Sequence, residues 1–387
     1  MHPLTHLGNM PIADFLRDYW QQKPVCIRNA FTDWQSIIAA DELAGLSLEE
    51  TVESRLIEND GVISNWRLQH GPMTDEVFAK QRPYPWTLLV QGVDNFVPEA
   101  FDFISGFRFI PGWRLDDLMV SYATKGAGVG AHYDRYDVFL IQGEGQRRWQ
   151  TGQLCNSDSS LTDHKELCLL QDFQLDQTFD LEPGDLLYLP PLVAHKGVAL
   201  TDNCMTYSVG FRAPSHSDVI GGIADYLGQE LSADKRLKNS LQAQPAGEIS
   251  AADVANLREI IAQQLTDENL VQWFGCMTTE PKNPDLDWSE EAMDEAELAS
   301  IIKDAYGVLR VAEGVRLAYT WQGDGGLTLF AQGDAIACPP EATDLAMALA
   351  NDLIIDVENL GIVVKNEASQ ALLLVLHNQG WLYFDDE

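Results

Sequence analysis

Short apolar runs separated by glycine and proline turns occupy residues 116–211, and they constrain the fold more than any other feature of the sequence. The runs have the length and composition of β-strands. They are Leu118–Tyr122, Val138–Gln142, Gln146–Thr151, Asp185–Leu189 and Met205–Phe211. The turn sequences between them include Gly126–Gly130, Gly143–Gly145, Pro183-Gly184 and Pro190-Pro191. Many short strands punctuated in this way predict a double-sheet barrel or jelly roll.

Helical patterns precede and follow these strands. Near the start, Ile12–Tyr19 carries apolar residues at intervals of three and four, and the short apolar run Pro24–Ile27 follows it. After Pro214 the predicted helices are Val219–Leu231, Ala252–Leu265 and Asn269–Cys276, and Ser250 with Asp253 forms a capping-box pattern before the second. The apolar faces of these helices must be buried, so we expect this segment to pack on its twin in a homodimer.

The last hundred residues mix short helices and strands behind a polar linker that we place at Lys282–Glu291. Helices are predicted at Met293–Ala305, Glu341–Leu353 and Glu367–Asn378, and strands at Val308–Val311, Arg316–Trp321, Leu327–Ala331 and Trp381–Phe384. This mixture is typical of a winged-helix-like module. The chain as a whole is predicted to be α+β, with a jelly-roll domain at 1–213, a helical dimerisation segment at 214–280 and a winged-helix-like domain at 281–387.

The net charge excludes one large class of partner. Lys and Arg number 25 and Asp and Glu 59, so the formal net charge is −34. Residues 290–387 contain four Lys or Arg and eighteen Asp or Glu. Nucleic-acid binding requires clustered cations that displace counterions, so a regulator that binds DNA through the last hundred residues is disfavoured, and a basic partner fits better.

The compartment predicted from the sequence is the cytoplasm. Neither an uninterrupted apolar stretch long enough to span a membrane nor a signal-peptide pattern is found in the sequence. The six cysteines are scattered and form no CxxC pair, as expected of thiols in a reducing compartment. We therefore expect no membrane partner.

A histidine, an aspartate and a second histidine form the pattern with the most chemical content. His132 and Asp134 follow a glycine-rich stretch, and residues i and i+2 of an extended segment point to the same face. His195 comes after a predicted strand and a turn, where a barrel can bring it opposite that pair. Two histidines and one carboxylate on one face of a metal form the facial triad of non-haem Fe(II) oxygenases.

Two neighbouring aspartates are not predicted to be ligands. Asp137 has the wrong parity relative to His132 in an extended segment. Asp185 belongs to the turn after Gly184. We therefore expect structural roles for both.

The residues around this trio resemble the JmjC group of 2-oxoglutarate oxygenases. The resemblance rests on the trio itself, on Glu182-Pro-Gly-Asp-Leu-Leu-Tyr-Leu-Pro-Pro191 and on Lys23-Pro-Val-Cys-Ile-Arg28. More narrowly, Asp116–Ser121, His132–Phe139, Arg147–Trp149 and Tyr207–Arg212 resemble the bacterial ribosomal oxygenases, over essentially the whole chain. The resemblance implies a cupin-like double-stranded β-helix, then the helical dimerisation segment and the winged-helix-like end.

The activity that this resemblance implies is hydroxylation of one arginine of the large-subunit ribosomal protein numbered sixteen, a basic partner. Fe(II) would be the cofactor, with 2-oxoglutarate and O₂ as cosubstrates, and His132, Asp134 and His195 would be the metal ligands. The resemblance assigns Arg147 to the distal carboxylate of 2-oxoglutarate, which suits the planar fork of an arginine, and Ser121 to a further hydrogen bond. It assigns no separate catalytic acid or base and no substrate-binding residue.

Three points stay open at the level of sequence. Arg148 faces away from Arg147 by strand alternation, and only the resemblance says which of the two points inward. Thr206 stands where many JmjC proteins have Asn, so its contact with the cosubstrate is not assigned. A JmjC demethylase of a basic protein and a cupin enzyme that does not use 2-oxoglutarate are the alternative functions, although a cation such as Arg147 inside a barrel is costly without an acidic cosubstrate.

Overall fold

The structure is a computed structural model that describes residues 3–60, 62, 66–164, 166–238, 245–284 and 292–385. These residues form two compact units. The first unit holds the described residues up to Arg212 and two short later segments, and the second holds the others. The predicted linker Lys282–Glu291 lies largely outside the described residues, and the boundaries 1–213, 214–280 and 281–387 stay predictions.

The first unit is built mainly of antiparallel strands. Its helices are α1 (Ile12–Asp18), α2 (Ala40–Leu46), α3 (Asp75–Ala79) and α4 (Pro98–Ser105). Its strands are β1 (His6–Leu7), β2 (Met10–Pro11), β3 (Val25–Ile27), β4 (Ser54–Glu58), β5 (Arg67–His70), β6 (Trp86–Val90), β7 (Leu115–Ala123), β8 (Asp137–Glu144), β9 (Arg147–Leu154), β10 (Leu175–Leu181), β11 (Leu186–Leu189), β12 (Val193–Ala199) and β13 (Cys204–Phe211). The strand order is β3-β11-β8-β13-β7-β6-β4-β5 in an eight-stranded sheet and β10-β9-β12 in a three-stranded sheet. This double-sheet arrangement confirms the predicted jelly roll.

Alternation along the central strands separates two environments. In β13 the apolar side chains of Tyr207, Val209 and Phe211 join the main hydrophobic core, which includes residues of α1 and α4. The intervening residues Thr206 and Ser208 line a cavity on the other side of the sheet. Successive side chains of a strand point to opposite faces, so one face of this sheet forms the core while the other is polar enough to form a site.

The second unit combines helices with two small sheets. Its helices are α5 (His216–Glu230), α6 (Ala251–Gln264), α7 (Asp267–Thr279), α8 (Glu295–Asp304), α9 (Thr343–Asp352), α10 (Val357–Val363) and α11 (Glu367–Asn378). Its strands are β14 (Val308–Val311), β15 (Leu317–Trp321), β16 (Leu327–Ala331), β17 (Asp334–Cys338), β18 (Ile354–Asp356) and β19 (Leu382–Asp385). The sheets have the orders β18-β14-β19 and β15-β16-β17. Within the described ranges, no helix is long and apolar enough to cross a membrane.

Most predicted elements lie within a few residues of the observed ones. The capping box at Ser250 is present, and its side chain accepts a hydrogen bond from the Asp253 amide. The sequence patterns did not predict the strands β1, β2, β4, β5, β6, β10, β12, β17 and β18 or the helices α2, α3, α4 and α10. In β10, for example, the apolar alternation is interrupted, because Leu175, Phe179 and Leu181 share one face with the polar Gln177.

Candidate active site

A cavity of about 330 Å³ lies inside the jelly roll. Its wall combines inward-facing residues of both sheets with the segment before β8 and a loop at 166–169. The residues from strands are Arg55, Ile57, Thr87, Leu89, Asp117, Met119, Ser121, Val138, Leu140, Arg147, Trp149, His195, Thr206, Ser208 and Gly210. Residues at positions i and i+2 recur in this set, as expected when one face of each strand borders the cavity.

The three predicted metal ligands come together at this cavity. His132, Asp134 and His195 each offer one ligand atom, and these atoms all lie within 4.8 Å of one another. The Nε2 atom of His195 is 3.4 Å from Oδ2 of Asp134. The two imidazole rings have centroids 4.2 Å apart and an interplanar angle of 59°.

Backbone hydrogen bonds fix this arrangement. His132 and His195 form an antiparallel bridge in which each amide donates to the carbonyl of the other, at 3.0 and 2.8 Å. The amide of Leu192 donates to the carbonyl of Asp134 at 2.7 Å. Leu192 has a φ of +69°, a left-handed conformation that costs energy for a residue with a side chain. The turn before His195 is therefore strained at Leu192, and its hydrogen bond to Asp134 fixes the segment that carries the other two predicted ligands.

Both histidines present the same nitrogen to the site. The Nδ1 atom of His132 lies 3.0 Å from the carbonyl oxygen of Gly130, and Nδ1 of His195 lies 3.0 Å from that of Val193. A carbonyl can only accept, so each Nδ1 carries the proton and each Nε2 keeps a lone pair for a metal. Burial, reinforced by the neighbouring His132, lowers the pKa of His195 to about 4, so this ring is uncharged at neutral pH.

The donor set suits a divalent first-row metal. Two imidazole nitrogens and one carboxylate oxygen are the ligands of non-haem Fe(II) sites. The other explanation for two histidines beside an aspartate is a structural ion pair at the surface. His195 is 3% exposed and its neutral ring gains little from Asp134 as an ion pair, so the cluster fits a metal better than it fits a structural contact.

Arg147 is a buried cation that faces the same cavity. It is 3% exposed, and its Nε and Nη2 atoms have no hydrogen-bond partner among the described residues. Arg148 points the other way and forms an exposed, two-bonded ion pair with Asp180 at 2.6 and 2.7 Å. A buried guanidinium without an acceptor is expensive, so the inward arginine fits a cavity that receives an anionic ligand.

Ser121 and Thr206 are neighbours across the pair of strands β7 and β13. Both are buried cavity residues. The Ser121 hydroxyl is 3.5 Å from the carbonyl of Thr206, and the Thr206 hydroxyl is 3.4 Å from Oε1 of Gln142. Both bonds are long, so each hydroxyl can reorient towards a ligand.

Sequence reasoning assigned no role to several other residues of the cavity. Thr87 has a fully buried hydroxyl without a partner among the described residues. Asp117 is a buried carboxylate that accepts from the Gln91 side chain at 2.6 Å. Asp117 lies four residues before Ser121 in the same strand, and residues an even number apart share a face. The sequence therefore already indicated that Asp117 faces the same side as Ser121.

The two aspartates that were not predicted to be ligands have structural partners. Asp137 is completely buried and accepts hydrogen bonds from Tyr188 at 2.5 Å and from Arg114 at 3.1 Å. Asp185 accepts from the amide of Asn29 at 2.9 Å and forms an ion pair with Arg28. Neither carboxylate belongs to the metal-ligand cluster.

Two protein families and several known proteins match this chain. The JmjC domain family matches residues 102–219, and the ROXA-like winged-helix family matches residues 258–383. The ribosomal protein uL16 3-hydroxylase of Escherichia coli K12 is 35% identical over 379 residues, which is 96% of this chain and 97% of the relative. A probable ribosomal oxygenase of Haemophilus influenzae is 32% identical over 83% of this chain and 80% of its own length.

Solved structures of an Escherichia coli ribosomal oxygenase have the same fold. The structure of the Escherichia coli ribosomal oxygenase YcfD in complex with cobalt and 2-oxoglutarate matches with a TM-score of 0.84 and 32% identity, over 98% of this chain and 99% of that one. Another crystal structure of the E. coli protein matches with a TM-score of 0.87.

A jelly roll with two histidines and one aspartate at its cavity, matched by the JmjC family, defines a 2-oxoglutarate oxygenase of the JmjC class. The C-terminal winged helix and the match over 96% of this chain to the uL16 3-hydroxylase narrow the class. The chain belongs to the ribosomal oxygenase family.

Proposed function

We propose that this chain is a 2-oxoglutarate- and Fe(II)-dependent hydroxylase that acts on an arginine side chain of ribosomal protein uL16. The observation that carries the proposal is the joint placement of two features in one cavity. The His132, Asp134 and His195 cluster lies at the same cavity as the unpartnered guanidinium of Arg147. A metal alone would need only the first feature, whereas a metal and a dicarboxylate together need both.

In this proposal His132, Asp134 and His195 hold the iron through two Nε2 atoms and one carboxylate oxygen. When bound, the iron couples oxidative decarboxylation of 2-oxoglutarate by O₂, which yields succinate and CO₂, to insertion of the other oxygen atom into a substrate C–H bond. The neutral state of His195 keeps its Nε2 lone pair available at neutral pH. The fixed backbone bridge between the two histidines means that the ligands are positioned before the metal binds.

Arg147 binds the distal carboxylate of 2-oxoglutarate, and Ser121 adds a hydrogen bond. The Nε and Nη2 atoms of Arg147 can donate two parallel, charge-assisted bonds to one carboxylate. Because both residues are buried, water competes little for these bonds. This contact orients the cosubstrate so that its other end reaches the three ligands.

Acidic side chains of the cavity fit a cationic substrate group. Asp117 and Glu166 line the cavity in addition to Asp134, and carboxylates favour a cationic side chain such as arginine. The net charge of −34 favours encounter with a basic ribosomal protein and disfavours nucleic-acid binding. We propose a cytoplasmic location as well, because the proposed substrate is a ribosomal protein.

That electrostatic part of the proposal can be tested with salt. If the acidic surface guides the substrate, kcat/KM for full-length uL16 falls as ionic strength rises, because the Debye length shortens. The control is a short peptide that contains the same arginine between uncharged residues. Its kcat/KM changes little as ionic strength rises. A flat response for the full-length protein would contradict this role of the surface charge.

We also propose that the enzyme is a homodimer that associates through the helices of the second unit. In the single chain, α6 exposes a stripe of apolar side chains along one side. Their exposed fractions are 45% for Val254, 45% for Leu257, 58% for Ile261 and 43% for Leu265. Exposed apolar stripes of this kind commonly form the contact surface between helices of two subunits.

The decisive experiment is mass spectrometry of uL16 from cells with and without this gene, followed by reaction of purified components. The proposal predicts that the purified enzyme adds one oxygen atom to one arginine and forms one succinate per turnover. Loss of a methyl group from a methylated substrate would instead support a demethylase. Oxidation that does not require 2-oxoglutarate would support another cupin enzyme and would reject the proposal.

A further inference from the structure

Trp149 has a polar atom that the structure leaves without a partner. It lies in β9 two residues after Arg147, and therefore on the same inward face. The residue is 5% exposed and lines the cavity. Its Nε1 atom has no hydrogen-bond partner among the described residues. A buried N–H without an acceptor costs free energy, so the absence of a partner calls for an explanation.

The indole lies close to both groups that the proposed function uses. Its ring is 5.7 Å from the guanidinium carbon of Arg147, and its centroid is 6.0 Å from that of His195. In the proposed function, 2-oxoglutarate extends from Arg147 to the metal ligands. The indole lies within about 6 Å of both, so a ligand that joins them comes near this ring.

The backbone opposite Trp149 leaves room for this ring and fixes its place. Gly197 of β12 is the residue directly across from Trp149 in the strand pair. A Cβ atom at Gly197 would lie 2.8 Å from two ring carbons of Trp149, closer than side chains approach one another. The indole therefore packs directly on the glycine backbone and cannot turn away into that space.

The other unpartnered polar atoms of the cavity have the same chemical character. Within the described ranges, the cavity residues with such buried atoms are Arg147, Trp149 and Thr87. Arginine and indole nitrogens can only donate, and the hydroxyl of Thr87 can do so. 2-Oxoglutarate offers two carboxylates and a keto oxygen, which only accept. The donors of the cavity and the acceptors of the cosubstrate are therefore complementary.

We propose that the indole N–H of Trp149 donates a hydrogen bond to bound 2-oxoglutarate, which makes Trp149 a third cosubstrate-binding residue beside Arg147 and Ser121. This inference rests on the proposed function. It predicts that loss of the N–H weakens the binding of 2-oxoglutarate and leaves the affinity for the metal unchanged. The reason is that the Nε2 atoms of His132 and His195 do not depend on the indole nitrogen.

The test uses Trp149→Phe in the full chain, which keeps an aromatic ring and removes the N–H. Calorimetric titration of 2-oxoglutarate into the Mn²⁺-loaded protein measures the dissociation constant, and a separate titration measures the one for Mn²⁺. We expect the 2-oxoglutarate constant to rise about tenfold, which corresponds to about 1.4 kcal/mol. The Mn²⁺ constant should stay within twofold. Trp321→Phe, at an exposed tryptophan of β15, is the matched control and should change neither.

Two results would overturn the inference. One is a 2-oxoglutarate constant for Trp149→Phe within twofold of the wild type. The other is an equal weakening of Mn²⁺ and 2-oxoglutarate, which would indicate that Trp149 acts only by packing against His195. If Trp149→Phe does not fold, benzothienylalanine at position 149, which replaces the N–H by sulfur and keeps the ring shape, gives the same comparison.

A different result is expected if the proposed function itself is wrong. In that case the wild-type Mn²⁺-loaded protein would not bind 2-oxoglutarate at all. Steady-state kinetics adds a second readout, because a lost cosubstrate contact raises KM for 2-oxoglutarate while KM for the uL16 substrate stays the same.

Discussion

The two units of the chain are incomplete in opposite ways. In the first unit, polar atoms of Arg147, Trp149 and Thr87 are buried at a cavity and have no partner among the described residues. In the second unit, apolar side chains such as Ile220 and Ile261 are left exposed, at 69% and 58%. Unpartnered polar atoms in an interior and uncovered apolar atoms on a surface are both unfavourable in an isolated chain.

The difference indicates what each unit needs. Buried donors require a ligand rich in acceptors, and the cavity provides space for a small one. Exposed apolar stripes require another protein surface, since only burial of apolar area relieves them. In the proposals above, the first unit is completed by hydrogen bonds to a small molecule, and the second by contact with another copy of the chain. Substitutions in one unit should therefore leave the property of the other unit intact.

The largest effect is expected at the metal ligands. Asp134→Ala removes the only carboxylate of the cluster, so metal binding and substrate-dependent succinate formation should be abolished. Succinate release and calorimetric Mn²⁺ binding measure the two effects. Asp163→Ala, at an exposed aspartate of the same unit, is the control and should behave as wild type. Turnover at the wild-type rate by Asp134→Ala would remove the metal assignment.

Adjacent arginines give the next prediction. Arg147→Ala deletes two charge-assisted hydrogen bonds, together worth about 3 kcal/mol, so KM for 2-oxoglutarate should rise about a hundredfold. Arg148→Ala should leave KM unchanged, because Arg148 pairs with Asp180 on the outer face. Initial rates at varied 2-oxoglutarate concentration measure both. Equal effects of the two variants would show that the inward arginine has no special role.

The exposed stripe of the second unit predicts the third effect. Ile261→Asp would place an unpaired charge in the proposed dimer interface twice, once from each copy, and should weaken dimerisation by at least about a hundredfold. Sedimentation velocity measures the change. Gln263→Asp, two residues further along the same helix, carries the same new charge and should remain dimeric. The affinity of the Ile261→Asp variant for 2-oxoglutarate should be unchanged if the two units are independent in the way described.

The smallest effect is expected at the cap of α6. Ser250→Ala removes the side-chain acceptor for the Asp253 amide and should reduce the free energy of unfolding by about 1 kcal/mol. Chemical denaturation measures this loss, and Arg258→Ala at an exposed position inside the same helix is the control. Since the cap is in the second unit, Mn²⁺ and 2-oxoglutarate should bind the Ser250→Ala variant normally. A change in the dissociation constant of Mn²⁺ or of 2-oxoglutarate would contradict the prediction that substitutions in one unit leave the other unaffected.

Local patterns were sufficient to nominate two of the three proposed metal ligands. The spacing of His132 and Asp134 is short enough that extended geometry alone puts both side chains on one face. The strands and turns around them carry strong apolar and glycine or proline signals. The position of His195 required one further step, because it depends on a turn that returns the chain to the same end of the sheet.

The sequence by itself thus determined the class of fold, the three ligand candidates and the helices with their caps. Tertiary structure decided which arginine points inward, which residues share the cavity and which donors lack partners. The physical reason is that a strand repeats every two residues, so a sequence shows which residues share a face and does not show which face is enclosed. That choice is made when β9 pairs with β10 and β12 and buries Arg147 and Trp149 while Arg148 remains in solvent.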